Sequence, residues 1–114
     1  MPSEPERRDL FPGAVEMMVL QILQRGPLHG YAIARYIRET SEEALQIEEG
    51  TLYPALQRLL RENWVRAEWG LSAHNRKVRI YRITPAGRKQ LDRSVSSFQQ
   101  MLEGIARVMK PVES

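Results

Sequence analysis

The segment from Glu49 to Leu59, with Leu60 and Arg61 directly after it, constrains the fold more than any other part of the chain, because its two faces differ in kind. One face carries apolar side chains at positions i, i+3, i+4, i+7 and i+8, namely Leu52, Ala55, Leu56, Leu59 and Leu60. This spacing is typical of a helix that packs an apolar stripe on a core. Off the stripe lie polar, aromatic and cationic groups: Thr51, Tyr53, Pro54, Gln57, Arg58 and Arg61.

Thr51 and Pro54 predict where this helix begins. A proline lacks a backbone donor and clashes with the carbonyl four residues earlier, so it belongs in a first turn. Threonine is a favoured N-cap, and with Thr51 in that position Pro54 is the third helical residue, where no donor is required. The polar groups gathered at this N-terminus suit a polyanion, because the positive end of the helix dipole lies there.

The composition excludes several classes of protein. A chain of 114 residues is expected to form one domain with a modest core. It holds no run of 18 apolar residues and begins with a charged segment, so neither a membrane span nor a secretory signal is expected. Cysteine is absent, which excludes disulfides and thiolate metal sites and fits the cytoplasm. No nucleophile–base pair, glycine-rich phosphate loop or metal-binding motif occurs, so we expect no enzyme, cofactor or metal.

The net charge of +3 conceals an uneven distribution. Residues 1–75 hold 8 Lys and Arg against 11 Asp and Glu, whereas residues 76–114 hold 9 against 3. Such a basic cluster is either a solvated face or the electrostatic footprint of a nucleic-acid binder, and composition leaves both open.

Two helices are predicted before this segment and a hairpin after it. The first helix is expected over 13–25 and the second from His29 to Thr40, where His29 caps or packs rather than binds a metal. Alternating side chains from Val65 to Trp69 predict a strand, residues 70–75 a turn, and 77–84 a return strand. Which residues of the return strand face inward stays open, with Tyr81 and Ile83 favoured.

A last helix is predicted from Thr84 as N-cap and Pro85 as first helical residue. It carries a heptad stripe: Leu91, Val95, Phe98, Leu102, Ile105 and Met109. The stripe packs either on the chain's own core or on a second copy. About 24 residues would project ~36 Å, farther than so small a unit extends, which favours a dimer.

This order of elements predicts a mainly α fold with a small β-hairpin, namely a winged helix-turn-helix domain over 12–84 and a dimerisation helix over 85–110. Residues 1–11 are expected to form a flexible arm and 111–114 a tail. Three motifs and a tryptophan lie in register with this plan: Gly26-Pro27-Leu28-His29-Gly30-Tyr31, Glu49-Gly50-Thr51-Leu52-Tyr53-Pro54-Ala55-Leu56, Trp64, and Tyr81-Arg82-Ile83-Thr84-Pro85-Ala86-Gly87.

In this order and at these distances, the motifs resemble the PadR family of bacterial transcriptional regulators over residues 11–110. The stretch 68–76 resembles a short subgroup without an extended C-terminal effector domain. The resemblance implies a homodimer that binds operator DNA sequence-specifically, most often as a repressor. It implies a third helix in the major groove and a wing at the neighbouring minor groove or backbone.

The resemblance implies DNA contacts from Tyr31, from Thr51, Tyr53 and Pro54, and from the wing cations. Side-chain chemistry adds Gln57 and Arg58, which can read adenine or guanine bidentately. The wing residues expected at DNA are Asn75, Arg76, Lys77 and Arg79.

A small-molecule effector that shifts the dimer geometry would regulate such a protein. The apolar groups expected to line its pocket are Trp64, Trp69 and Met101, together with Phe98 of the heptad. The alternative function is an adaptor in which the basic wing binds an acidic protein or RNA.

Overall fold

A computed structural model describes residues 10–112 of the chain. Four helices and three strands follow one another in the order α1 (Ala14–Leu23), β1 (Leu28–His29), α2 (Gly30–Thr40), α3 (Glu49–Arg61), β2 (Val65–Leu71), β3 (Lys77–Ile83) and α4 (Pro85–Val108). The predicted mainly helical fold with a small hairpin is confirmed. No helix within 10–112 combines the length and the apolar character needed to cross a bilayer.

The sheet contains one strand that the sequence did not predict. It is antiparallel in the order β1-β3-β2, and Leu28 and His29 of β1 pair with Tyr81 and Ile80. Two residues are too few to show a period in the sequence. His29 also ends the strand by capping α2, since its Nδ1 accepts a hydrogen bond of 3.2 Å from the backbone N–H of Ala32. The predicted capping role of His29 is therefore confirmed.

Helix α3 begins earlier than predicted. Glu48 occupies the N-cap position and Thr51 is the third helical residue, with its backbone N–H bonded to the Glu48 carbonyl at 2.9 Å. The prediction of Thr51 as N-cap is wrong, because Glu48 and Glu49 favour the positive end of the dipole and extend the helix. Pro54 is consequently the sixth helical residue and leaves the carbonyl of Gly50 without its usual donor.

The apolar stripes of α1, α2 and α3 meet above the sheet and the start of α4. The most completely buried side chains are Val19, Leu20, Leu23, Ile33, Leu59, Val65 and Leu91. Tyr81 is buried and Ile83 half-buried, so the inward face of β3 is the one favoured from the sequence.

The start of α4 is fixed by one hydroxyl. Thr84 Oγ1 accepts a hydrogen bond of 3.0 Å from the backbone N–H of Gly87 and donates one of 2.7 Å to the carbonyl of Asn63. The predicted N-cap at Thr84 and first-turn proline at Pro85 are confirmed. Through these two hydrogen bonds, the Thr84 hydroxyl connects the segment after α3 to the start of α4. Both helices therefore keep a fixed position relative to the sheet.

The last two residues of the predicted arm contact the folded domain. Leu10 packs against the core, and the ring of Phe11 lies edge-on to Phe98 of α4 with 6.1 Å between centroids. Both side chains are apolar and gain by leaving water. Residues 1–9 lie outside the described part of the chain, as do 113–114 of the predicted tail.

Gly87 and Gly50 provide a matched stability test, since both lie in the first turn of a helix. A Cβ on Gly87 would collide with the backbone carbonyl of Trp64, whereas one on Gly50 would meet nothing within 4 Å. We expect Gly87→Ala to lower the free energy of unfolding by about 1–3 kcal/mol, and Gly50→Ala to leave it unchanged or raise it by up to ~1 kcal/mol. Urea denaturation measures both, and an equal effect at the two sites would contradict this packing.

Candidate nucleic-acid interface

A polar cleft of about 870 Å³ opens between α2, the start of α3 and the hairpin. Tyr31 of α2, Tyr53 of α3 and Trp69 of β2 line it and are exposed, while Tyr81 of β3 contributes a buried ring. Its charged lining residues are Arg35, Arg38, Lys77, Arg79, Glu48 and Glu49. Four cations against two carboxylates give the polar cleft a net positive charge.

The outer face of α3 is the line of residues opposite its buried stripe, Gly50, Pro54, Gln57 and Arg61. They recur at intervals of four, three and four residues, which places them along one side of a helix. Gln57 is half-buried and the other three are exposed. Arg61 was not among the predicted DNA contacts, although its spacing from Gln57 places it on this face. Thr51 and Tyr53 flank this face and are also exposed.

Arg58 is not presented beside Gln57. Its Nε donates a hydrogen bond of 2.7 Å to Glu16 Oε1 of α1, and its Nη2 donates to the same oxygen. Successive helical residues are separated by about 100°, so Arg58 projects toward α1 while Gln57 projects outward. In this structure Arg58 therefore lies off the outer face that carries Gln57.

The wing consists of β2, β3 and the turn 72–76. Ser72 holds the turn, since its N–H bonds to the Arg76 carbonyl at 2.8 Å and its hydroxyl accepts from the N–H of Arg76 at 3.2 Å. Asn75 adopts a left-handed conformation with φ of 60°, which asparagine tolerates better than most residues. Asn75 and Arg76, both predicted DNA contacts, are exposed at the tip.

The two faces of the wing differ in their charge partners. Strand register sets Trp69 opposite Arg79 and Leu71 opposite Lys77, on the same face as Tyr81. Side chains alternate along a strand, so the other face carries the ion pair of 2.7 Å between Arg82 and Glu68. Trp69, Lys77, Arg79 and Tyr81 all line the polar cleft, which makes the first face the one turned toward α3.

Burial raises the pKa of the Tyr81 hydroxyl, an effect that Arg79 opposes and Tyr53 reinforces. The hydroxyl therefore stays protonated at neutral pH.

Neither histidine is placed as a metal ligand, because His29 caps α2 and His74 is exposed in the wing turn. Within residues 10–112, no three His, Asp or Glu side chains group as a metal site would require.

A model of the PadR-like family of transcriptional regulators matches residues 19–93, from the middle of α1 into α4. The chain belongs to this family. PadR-family regulators are transcription factors rather than enzymes, in agreement with the sequence prediction. The polar cleft, the outer face of α3 and the wing are thus features of a PadR-like regulator.

Relatives and solved structures agree with this assignment. The chain is 32% identical over 100 residues to a transcriptional regulator of Mycobacterium tuberculosis, covering 88% of this chain and 86% of that protein. A transcriptional regulator from Clostridium thermocellum superposes with a TM-score of 0.80 and 29% identity, covering 87% and 96% of the two chains. Bacillus subtilis PadR, solved in complex with operator DNA, superposes with a TM-score of 0.64 at 22% identity and shares the winged-helix fold. The match spans 72% of this chain and 46% of that one.

The heptad stripe of α4 in this PadR-like chain divides into two parts. Leu91 is only 2% exposed and belongs to the chain's own core, so its prediction as a dimer contact is wrong. Val95 and Phe98 are half-buried. Beyond them, Leu102 and Ile105 are 44% and 41% exposed, and Met109 is more exposed still. The division arises because Thr84 anchors the first turns of α4 at the core, and the later turns extend past α1.

The four residues predicted for an effector pocket do not all lie together. Trp64 packs on the core just before β2, Trp69 is on the wing about 16 Å along the strand, and Met101 is on α4. Phe98 instead lines an apolar cleft of about 460 Å³ between α1, α2 and α4. Other apolar residues around it are Met17, Met18, Ile22, Tyr36, Ile37, Leu45, Val95 and Leu102. Four strand residues separate the two tryptophans, so Trp64 and Trp69 do not line one pocket.

Proposed function

We propose that this PadR-like regulator binds operator DNA sequence-specifically as a homodimer, in the cytoplasm, and represses transcription until a ligand or signal relieves it. One observation carries the proposal: the N-terminal turns of α3, with Gly50 and Tyr53, and the cleft-facing side of the wing line the same positively charged cleft. A helix and a basic hairpin so arranged can engage a major groove and the adjoining backbone together.

The outer face of α3 supplies the base-reading chemistry. Gln57 reads adenine through a bidentate amide, and Arg61 reads guanine through two N–H groups. Pro54 and the Thr51 methyl suit a thymine methyl, while the hydroxyls of Tyr31 and Tyr53 donate to phosphates. Thirteen residues make α3 about 20 Å long, enough to lie in a major groove about 12 Å wide.

The wing supplies the contacts that do not depend on sequence. Lys77 and Arg79 line the polar cleft, and Asn75 and Arg76 lie in the turn just before them, at the end of the wing. Cations there neutralise phosphates or enter a narrow minor groove beside the site of α3. Arg58 joins these contacts only when its guanidinium leaves Glu16.

We propose that α4 joins two copies. In one copy, Leu102 lines the apolar cleft, and Leu102, Ile105 and Met109 are all exposed. A second copy would remove these side chains from water. Residues 12–84 then act as the DNA-binding unit and 85–110 as the dimerisation helix. The two α3 helices would meet half-sites about one helical turn apart. A small apolar effector in the apolar cleft would change that separation and lower the affinity for DNA.

Sequence-specific binding is tested by fluorescence anisotropy with a duplex from the promoter of the protein's own gene and a random duplex, over a range of salt. We expect about 10³-fold tighter binding to the promoter duplex, and affinity that falls steeply with salt because phosphates are neutralised. The variant Arg82→Gln is the control, since Arg82 lies on the wing face turned away from the cleft and should behave as wild type. Equal affinity for both duplexes, or tighter binding to RNA, would instead support the adaptor function.

Dimerisation is tested by placing one charge on two sides of α4. Ile105→Glu buries a carboxylate in the proposed interface and should yield monomers with at least tenfold weaker operator binding. Gln100→Glu adds the same charge on the opposite side of the helix, where it should leave the dimer intact. Light scattering gives the mass of each variant. A dimeric Ile105→Glu protein would show that the end of α4 does not hold two copies together.

For the ion pair of Glu16 and Arg58 we predict a substitution that strengthens DNA binding rather than weakening it. Glu16→Gln should strengthen binding to every duplex by about two- to fivefold and steepen the salt dependence, because Arg58 then neutralises one more phosphate. The double variant Glu16→Gln with Arg58→Gln should lose this gain. Stability should change by only about 1 kcal/mol, since glutamine keeps the shape of the mostly buried Glu16 side chain and the arginine is half exposed. Unaltered binding by Glu16→Gln would mean that Arg58 stays away from DNA.

A further inference from the structure

Cations around the interface differ in what holds them. Among residues 10–112, carboxylates pair with three arginines, Arg35, Arg58 and Arg82. Lys77 and Arg79 belong to no such pair in that range, and both instead lie over the indole ring of Trp69. This difference matters because a carboxylate occupies the donors of a cation and cancels its charge, whereas an aromatic ring does neither.

The hairpin register builds this arrangement. Arg79 is directly across from Trp69, and Lys77 is two residues earlier on the same face, which is the diagonal position within reach of a long side chain. The ammonium of Lys77 is 4.9 Å from the ring centroid, and the guanidinium carbon of Arg79 is 5.9 Å from it. Both distances allow attraction to the negative ring face. Trp69 is nevertheless 64% exposed, so packing in the core does not account for its place.

We propose that Trp69 is a positioning residue, which holds Lys77 and Arg79 side by side as a preformed site for one phosphodiester of the DNA backbone. This inference rests on the proposed function, because it assigns a ligand to the cleft side of the wing. Stacking leaves the N–H groups of both cations available to phosphate oxygens. It also restrains two flexible side chains before binding, so less conformational entropy is lost when the phosphate arrives.

The surrounding charges favour an anion at this place. Two cations on one ring repel each other, and an anion between them relieves the repulsion. Glu48 and Glu49 line the opposite, α3 side of the polar cleft. They repel a phosphate from that side and so direct it toward Lys77 and Arg79 on the wing. The two cations held by the indole therefore complement the charge of a DNA strand that passes between the wing and α3.

The test is a mutant cycle on DNA binding at several salt concentrations. Trp69→Leu keeps an apolar side chain but removes the ring, and should weaken binding to the promoter and random duplexes alike by about three- to tenfold. Its salt slope should match wild type, because both charges remain. Lys77→Gln with Arg79→Gln should flatten the slope by about 0.9, since the one phosphate that they share is no longer neutralised. The triple variant should bind no more weakly than this double variant.

Two outcomes of the cycle would overturn the inference. One is wild-type affinity of Trp69→Leu. The other is a full additional loss in the triple variant, which would mean that Trp69 touches DNA itself or supports the fold. Trp69→Tyr should restore most of the affinity, because the ring is retained, and circular dichroism checks that each variant is folded.

A measurement without DNA separates this inference from the proposed function. The side-chain protons of Lys77 next to its ammonium should resonate upfield in the NMR spectrum, because the indole ring current shields them, and Trp69→Leu should abolish the shift. An absent shift in the wild-type protein would overturn the inference even if the protein binds its operator. Wild-type protein that shows the shift but binds no duplex would overturn the proposed function, and the phosphate assignment with it.

Discussion

The pairing of β3 with a strand on each side is the constraint on which the rest of the structure depends. On one edge β1 brings the start of α2 to the sheet, and on the other β2 completes the wing. Tyr81 of β3 lies buried beneath Gly30, with an aromatic carbon 3.9 Å from where a Cβ would stand. The strand ends at Ile83, and the hydroxyl of the next residue, Thr84, caps the first turn of α4. One strand thus positions the cleft, its cations and the last helix.

The last helix shows how a single periodic pattern can serve two environments. Leu91 is buried in the domain, whereas Ile105 of the same stripe is exposed. A heptad records which side of a helix is apolar and contains no information about which surface covers it. The position of Thr84 decides this, because it fixes how many turns lie over α1 before the helix extends past the core.

The arginines of this protein differ in role because different side chains surround them. Arg58 is held by a carboxylate of α1, and Arg82 by one across the hairpin, while Arg79 lies on an aromatic ring. Only the last arrangement leaves the charge uncancelled. The basic character of the C-terminal third was evident from composition, but the distribution of charge over the wing follows from the alternation of its two faces and from cross-strand register.

The sequence by itself determined the helices, the hairpin, the Thr84 cap and the favoured inward face of β3, because each depends on residues close together in the chain. It did not determine the two-residue strand β1, which exists only through its pairing with Tyr81 and Ile80. Nor did it predict the bond between Arg58 and Glu16, 42 residues apart, or the separation of Trp64 from Trp69. Periodicity and capping are local properties, whereas the partner of a side chain is chosen by packing between distant segments, and only the tertiary structure decides it.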